Sequence, residues 1–180
     1  MPGTLESLEM GFVPVPQLDP AQPSTSFRVR GKQLRVDLIT PGRESDLEPI
    51  PIPRFKAAAA PIKHLSIAME GAQPALAVDG ATATLVVVPA PARFALHKLL
   101  VSRTRSIPQQ AKSGKDLRQA ALLLEVLGED RPDDLEAAAE AFVACGPGVT
   151  KKVLRGLDVA VKSWPVAEGG AHIVRKRLDR

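Results

Sequence analysis

The sequence predicts an α+β fold in which strands come first and helices follow. In the first half, apolar and polar residues alternate in two segments that are broken by tight turns, the pattern of antiparallel hairpins. From residue 91 onward, apolar residues recur every three or four positions between proline and glycine breaks, the pattern of successive helices. Segregated strands and helices are typical of the α+β class. We therefore expect a β-rich domain over residues 1–90 and a helical domain over residues 91–180.

The composition is that of a globular protein with few aromatic side chains. The hydrophobic fraction is 44% and the aromatic fraction 3%, so the core must be built from Ala, Val, Leu and Ile. The longest apolar runs, such as Leu85–Ala92, are too short to cross a membrane, and the single Cys145 excludes an internal disulfide. We expect a cytoplasmic protein with no membrane contact, and Cys145 as a small buried hydrophobe near a helix end.

Positive charge is concentrated in the second half. The net charge is +4, and residues 1–88 hold 8 basic and 9 acidic groups, against 16 and 11 in residues 89–180. Eight basic residues lie around Asp116 in the segment 89–119: Arg93, His97, Lys98, Arg103, Arg105, Lys112, Lys115 and Arg118. Such a cluster either holds phosphates or is the solvated surface of a helix pair.

The first half contains two predicted hairpins and two predicted short helices. We expect residues 5–10 to end a helix at Gly11, followed by a proline-rich extended segment. A hairpin over Ser26–Thr40 turns at Gly31–Lys32, and Pro41–Gly42 closes it. Ala57–Glu70 reads as a helix that buries Ile62, Leu65 and Met69. Asp79–Gly80 then predicts a type I′ hairpin turn between two apolar strands.

The second half reads as four helices and a tail. The first begins near Pro91, with Ala92, Leu96, Leu99 and Leu100 on one apolar stripe. The second starts at Ser113 and stops at Gly128, and the third follows Pro132, with Val143 among its inward residues. The fourth covers Val149–Trp164, and we expect the basic tail from residue 171 to be frayed.

Asp37 is the first candidate for chemistry. It stands between Val36 and Leu38 in a predicted strand, where aspartate is disfavoured. One interpretation is a solvated carboxylate paired with Arg35. The other is a carboxylate that binds a metal ion on the open face of a sheet.

Lys98 and Arg105 are the next candidates. They are seven residues apart and so share a helix face, two turns apart, where they could grip phosphates. A solvated helix surface is an equally good interpretation. His97 is better explained as a packing residue than as a base or ligand, because no second His or Cys stands at ligand spacing.

Asp116 has a structural interpretation of its own. Ser113, Gly114, Lys115 and Asp116 match a capping box, with Ser113 at the N-cap and Asp116 at the third helical position. A carboxylate also suits the positive end of the helix dipole. A role as helix cap and a role in a binding site do not exclude each other.

Four segments together resemble bacterial nucleotidyltransferase-fold proteins: GFVPVP, LRVDLITP, VVVPAPARFALHKLLVSRTR and AKSGKDLRQAALLLEVL. That group is related to the abortive-infection toxin nucleotidyltransferases and, more distantly, to DNA polymerase β. The resemblance covers roughly Leu5–Leu127, and its HKL and KDLRQA blocks are the most specific. It implies a nucleotidyltransferase-fold sheet followed by a helical bundle.

The resemblance also implies a reaction and a set of site residues. In this fold three carboxylates hold two Mg²⁺ ions, which promote transfer of a nucleoside monophosphate (NMP) from a nucleoside triphosphate (NTP). Asp37 would be the third carboxylate, Lys98 would contact the nucleotide phosphates, and Lys115 and Asp116 would border the pocket, with Arg105 as a further nucleotide contact. The acceptor would be an RNA, a protein or a small molecule.

The chain departs from the family pattern in its acidic residues. The family carries Gly-Ser or Gly-Gly before an acid-x-acid pair, and this sequence has no such block. Glu44 and Asp46 have the acid-x-acid spacing but follow the Asp37 strand without a glycine pair. We therefore expect the C-terminal portion of a nucleotidyltransferase-fold protein, truncated and catalytically impaired, with an unpaired sheet edge that promotes self-association. The alternative is a non-catalytic module that binds nucleic acid or protein through its basic helices.

Overall fold

A computed structural model describes residues 11–17, 22–43, 46, 48–104 and 110–179, and it confirms the α+β class. Strands dominate the first half of the chain, and helices follow them. The chain divides into two compact units, Met1–Ser66 and Ile67–Arg180. The predicted helix before Gly11 lies outside the described residues.

The N-terminal unit contains an antiparallel sheet of three strands. Strands β1 (Phe12–Pro14), β2 (Ser26–Val29) and β3 (Arg35–Asp37) lie in that order, with Phe27 opposite Val36. The predicted hairpin is confirmed, and proline-containing β1 takes an edge, where a missing N–H is tolerated. The core of this unit is small, and its members are Phe12, Phe27, Val29 and Ala57, with Val36 and Leu38 packed against them.

The same unit contains a mixed sheet in the order β4–β6–β5. Strand β4 (Ile39–Gly42) is parallel to β6 (Ala57–Lys63), and β5 (Ile50–Ile52) is antiparallel to it. The prediction that Pro41–Gly42 closes the strand was wrong, because both residues lie within β4. Glycine is required there, since a Cβ on Gly42 would lie 2.4 Å from the Pro61 Cβ.

The helix predicted over Ala57–Glu70 was wrong for its first half. Ala57–Lys63 is strand β6, preceded by a 3-10 helix (Pro53–Phe55), and only α1 (Leu65–Met69) is helical. Alanine favours helices, but here the first three alanines are buried opposite β5, so tertiary packing overrides propensity. In α1 it is Ile67 and Ala68 that are buried, whereas Met69 is exposed.

The second predicted hairpin is confirmed with a shifted turn. Strand β7 (Gln73–Asp79) pairs with β8 (Thr82–Val88), and Asp79 lies opposite Thr82. The turn residues are therefore Gly80 and Ala81, and of these only Gly80 has a positive φ, at 55°. A positive φ at the first turn residue alone defines type II′, so the type I′ prediction was wrong.

Five helices form the bulk of the C-terminal unit: α2 (Pro91–Ser102), α3 (Gln110–Asp130), α4 (Pro132–Val143), α5 (Pro147–Ser163) and α6 (Glu168–Leu178), with a 3-10 helix (Pro165–Ala167) before the last. Their buried faces meet in one core. Its largest fully buried side chains are Leu96, Leu99, Leu100, Leu124, Leu135, Phe142, Val153, Leu157 and Val174. The predicted apolar stripe of α2 is confirmed.

Two glycines let these helices touch through their backbones. A Cβ on Gly156 of α5 would lie 2.6 Å from the carbonyl oxygen of Leu99 in α2. A Cβ on Gly170 of α6 would lie 2.2 Å from the carbonyl oxygen of Leu124 in α3. Both distances are below any real Cβ contact, so α2–α5 and α3–α6 pack at a separation that only glycine permits.

Several expectations for this unit are corrected. Helix α3 begins before Ser113 and continues past Gly128, and the tail expected to be frayed is α6, which buries Ala171 and Val174. Val143 and Cys145 are exposed rather than buried. The apolar positions of the tail recur at helical spacing, but its high charge hides that pattern.

None of the helices that the structure describes is both long enough and apolar enough to cross a membrane.

Candidate functional site

The candidate site is a buried ion pair between α2 and α3. Lys98 Nζ lies 2.8 Å from Asp116 Oδ1, and the side chains are 21% and 4% exposed. The two residues are 18 positions apart in the sequence, and the packing of α2 against α3 brings them together. The structure thus joins two residues that the sequence singled out separately.

The position of Lys98 follows from the apolar stripe of α2. Leu96, Leu99 and Leu100 are fully buried, which leaves Lys98 at the border of the core. Phe94 lies one turn earlier, and its ring centroid is 5.0 Å from Lys98 Nζ. The ring and the carboxylate therefore both contact the ammonium group and restrict its position. The i, i+4 spacing of Phe94 and Lys98 in the sequence is a signal for this contact.

Asp116 is not a helix cap. Helix α3 begins at Gln110, so Ser113 lies inside the helix, and its hydroxyl donates a hydrogen bond to the Ser102 carbonyl at 3.2 Å. The capping-box prediction was therefore wrong, because a short local pattern matched a helix that starts earlier. Asp116 instead accepts a hydrogen bond from Lys98, and Leu117 beside it packs into the core.

The remaining residues of the predicted basic cluster differ in exposure, and Arg105 lies outside the described chain. Lys112, Lys115 and Arg118 of α3 are exposed. Helix α2 ends at Ser102 and Arg105 lies outside the described residues, so helical spacing no longer places Arg105 on the face of Lys98. His97 is 8% exposed, which agrees with its interpretation as a packing residue.

Asp37 belongs to the N-terminal unit. It ends β3 with a side chain that is 58% exposed, and its Oδ1 accepts hydrogen bonds from Arg35 Nε at 2.8 Å and from the Ser26 hydroxyl. Arg35 Nε also donates to Ser26 Oγ at 2.7 Å, so the three side chains form one small network. The sequence left two interpretations of Asp37 open. This geometry matches the first of them, a solvated carboxylate paired with Arg35.

The described residues do not fit a two-metal centre. Within them, no group of three or more His, Cys, Asp or Glu side chains is placed to hold a metal ion. Asp46 Oδ2 accepts a hydrogen bond from the Arg43 amide at 2.6 Å, and Glu44 lies outside the described residues. A two-metal site needs several converging carboxylates. Asp37, with its arginine and serine partners, supplies one.

Positive charge is otherwise paired mainly around α6. Arg175 contacts Asp158 and Glu168, at 3.1 and 3.0 Å, and Arg177 contacts Glu136 and Glu140. Exposed pairs of this kind add little stability one by one. The carboxylates in these pairs are already bound to arginines, so they do not compete with an external anion for the other basic side chains of this surface.

Comparison with known proteins identifies a family for this chain. No curated protein and no solved structure matches the chain. The model of a family described as nucleotidyltransferase matches residues 1–144, which includes β1 to β8, α2, α3 and α4. Nucleotidyltransferases act on nucleotides and generally use divalent metal ions. Because the match spans well over half of the 180 residues, this chain belongs to the nucleotidyltransferase family.

Proposed function

We propose that this chain binds a nucleoside triphosphate through α2 and α3, and that it takes part in Mg²⁺-dependent transfer of NMP from NTP when further carboxylates complete its metal site. The family match over residues 1–144 carries the proposal, since it is the observation that points to nucleotide chemistry. The relation to abortive-infection toxins, a bacterial origin and a cytoplasmic location stay predictions.

The chemistry of the α2–α3 pair supports a phosphate contact. An ammonium group has three N–H donors, and the hydrogen bond to Asp116 uses one of them. Lys98 is partly accessible, so a phosphate oxygen can approach a cation whose position Asp116 and Phe94 already restrict. In this proposal Lys115 adds charge from the exposed side of α3, Arg105 is a further phosphate contact, and Asp116 holds Lys98 in place.

The proposed catalytic role falls on Asp37 as one carboxylate of the metal site. A lone carboxylate cannot organise two Mg²⁺ ions, and the described residues offer no cluster that would complete the set. We therefore propose that the 180-residue chain is catalytically impaired and that transfer requires a form that supplies further carboxylates. The proposed acceptor is an RNA, a protein or a small molecule.

Nucleotide binding is tested by titrating a fluorescent ATP analogue into the purified chain with and without Mg²⁺. Lys98→Ala should weaken binding about tenfold, the loss of one charge-assisted hydrogen bond. Lys32→Ala is the matched control, because Lys32 is an exposed lysine in the turn after β2. Equal affinities for the two variants would contradict the proposal.

Transfer is tested with labelled NTP and Mg²⁺. We expect no incorporation by the 180-residue chain. Incorporation that Asp37→Ala abolishes would show that the chain assembles a working metal centre and would overturn the proposed impairment.

A second candidate is a non-catalytic module that binds nucleic acid or protein through its basic helices. The exposed Lys112, Lys115 and Arg118 on α3 favour it. Nucleic-acid binding of this kind would weaken steeply with salt and would need no divalent ion. A requirement for Mg²⁺ together with sensitivity to Lys98→Ala would favour the nucleotide instead.

A further inference from the structure

The outward face of α5 carries a row of basic side chains, which we call the α5 ridge: Lys151, Arg155 and Lys162. All three side chains are exposed. Helix α5 lies beyond residue 144, where the nucleotidyltransferase match ends. The ridge is therefore separate from the Lys98–Asp116 pair and does not rest on the function proposed for that pair.

Helical geometry aligns the ridge. At 100° per residue, Lys151, Arg155 and Lys162 fall within about 40° of one another around the axis. At 1.5 Å per residue they extend over roughly 16 Å along it. The buried residues Val153, Gly156, Leu157 and Ala160 occupy the opposite side, which fixes the ridge toward solvent. The cations thus form a straight line.

The ridge is not neutralised by its neighbours. Within the described ranges, none of its three side chains forms an ion pair, whereas most charged residues of α6 do. By the same geometry Asp158 lies between Arg155 and Lys162 on this face, where its Oδ1 contacts Arg175 at 3.1 Å. Lys152, next to Lys151, is partly exposed and adds a fourth positive charge at the margin. The three ridge cations and Lys152 outnumber this one carboxylate, so the face keeps a net positive charge.

The geometry and composition of the α5 ridge distinguish between three kinds of polyanionic ligand: a membrane surface, a nucleic-acid single strand and a nucleic-acid double helix. A helix that binds a membrane surface inserts its apolar side into the lipid, but the apolar side of α5 is buried in the protein core. Proteins that hold single strands add aromatic platforms for base stacking, and the ridge has none. A nucleic-acid double helix presents a rigid array of phosphates, with one phosphate on each strand per about 3.4 Å of helix axis. A rigid row of cations roughly 16 Å long can therefore contact several of them.

From this geometry we propose that the α5 ridge binds the phosphate backbone of double-stranded nucleic acid without reading its sequence. Lys151, Arg155 and Lys162 contact phosphates, and the released counterions drive association. Binding places the duplex on the helical unit and needs no divalent ion.

The test is fluorescence anisotropy on the full 180-residue chain with labelled 16-base-pair RNA and DNA duplexes, each over a range of salt concentrations. The ridge variant K151Q/R155Q/K162Q should bind at least about tenfold more weakly at low salt than the unmodified chain. The slope of log affinity against log salt concentration should become shallower by about 2 to 3 in this variant, as expected for three lost phosphate contacts. The two duplexes show whether RNA or DNA is preferred, and either preference supports the proposal.

Two triple variants control for net charge. R28Q/R30Q/K32Q removes three exposed positive charges from β2 and the turn that follows it, and should change affinity less than about threefold. K112Q/K115Q/R118Q removes three from α3. An equal loss in the first control, or a loss confined to the α3 variant, would overturn the proposal, because binding would then follow overall charge or the α3 surface.

Three further probes separate the ligand classes. They are the single strand of the same sequence, polyglutamate, and vesicles of phosphatidylserine and phosphatidylcholine. Weaker binding of all three than of the duplex supports the proposal, and tighter binding of any of them overturns it. Circular dichroism confirms that each variant is folded, which we expect because every substituted side chain is exposed.

Discussion

Lys98 Nζ and Asp116 Oδ1 are 2.8 Å apart, and the carboxylate is much the more deeply buried partner, at 4% side-chain exposure against 21%. A buried carboxylate without a cation is costly, whereas a partly exposed ammonium can turn to water. The pair therefore stabilises the contact between α2 and α3 whether or not a nucleotide is bound.

The first prediction concerns the asymmetry of this pair. Lys98→Met should destabilise the chain by about 3 to 5 kcal/mol, because it leaves Asp116 buried without its cation. Asp116→Leu should cost less, since Lys98 can reach solvent. The free energy of unfolding is measured in urea from the fluorescence of Trp164, the single tryptophan, which packs against the core of the helical unit.

The double variant K98M/D116L is the control for that prediction. It should recover most of the loss, because an apolar pair of similar volume often replaces a buried ion pair at little cost. A double variant as unstable as the sum of the single variants would show that the two charges do not act as a pair.

The second prediction concerns Gly156. Gly156→Ala should lower the free energy of unfolding by about 1 to 3 kcal/mol, because its Cβ would lie 2.6 Å from the Leu99 carbonyl oxygen. Gly148→Ala is the matched control in the same helix, since no atom lies within 4 Å of a Cβ placed there. That variant should be neutral or gain up to about 1 kcal/mol from helix propensity. Thermal denaturation of both variants tests this prediction, and similar melting temperatures for Gly156→Ala and Gly148→Ala would contradict it.

The third prediction concerns Cys145. The Cys145 side chain is exposed, but neighbouring atoms partly desolvate its thiol and raise the pKa, Glu70 raises the pKa further, and Arg93 opposes them. Glu70 also holds Arg93 in an ion pair at 2.8 Å. Glu70→Gln should lower the pKa of Cys145, because it removes a negative charge and frees a positive one.

More thiolate at pH 8 should then speed alkylation of Cys145 by iodoacetamide in this variant. The pH–rate profile should shift toward lower pH. Cys145→Ser is the blank, since the chain has no other cysteine. An unchanged profile would show that Glu70 does not act on the thiol.

The fourth prediction concerns the β7–β8 hairpin, a sheet of two strands in the described part of the chain. Its apolar face exposes Leu76, Val78, Leu85 and Val87 at 67 to 71%. Open edges and an apolar face favour association between chains. The variant L76E/L85K should reduce association in analytical ultracentrifugation, and its opposite charges face each other across the strands, which preserves the hairpin.

The matched control for the hairpin is A77E/T84K. These two residues also face each other, on the other side of the hairpin, and both are exposed. It adds the same charges without removing apolar surface, so association should persist. If both variants remain monomeric and the unmodified chain does too, the hairpin does not mediate association.

Local patterns predicted most of the fold. The hairpin around Gly31, the hairpin near Gly80 and the starts of helices at Pro91 and Pro132 follow from turn chemistry and apolar spacing, and the structure has them. The errors arose where distant contacts decide. Ala57–Lys63 is a strand because β4 and β5 pair with it, and nothing within the segment reveals those partners.

The candidate site was predicted in its members but not in its arrangement. Lys98 and Asp116 were both singled out, yet the capping-box spacing after Ser113 gave Asp116 a local partner instead of one on another helix. The pairing depends on how α2 packs against α3, which periodicity alone does not determine. Asp37 was correctly given an arginine partner as one of its two interpretations.

The contact between Gly156 and Leu99 has a mechanical consequence. Where two helices meet backbone to backbone, no side chain can change rotamer to absorb a displacement, so α5 and α2 must move as one rigid element. Leu99 directly follows Lys98 in the chain. A load applied to the outer side of α5 is therefore transmitted to the turn of α2 that carries Lys98, and amide hydrogen exchange of the two helices should slow or quicken together.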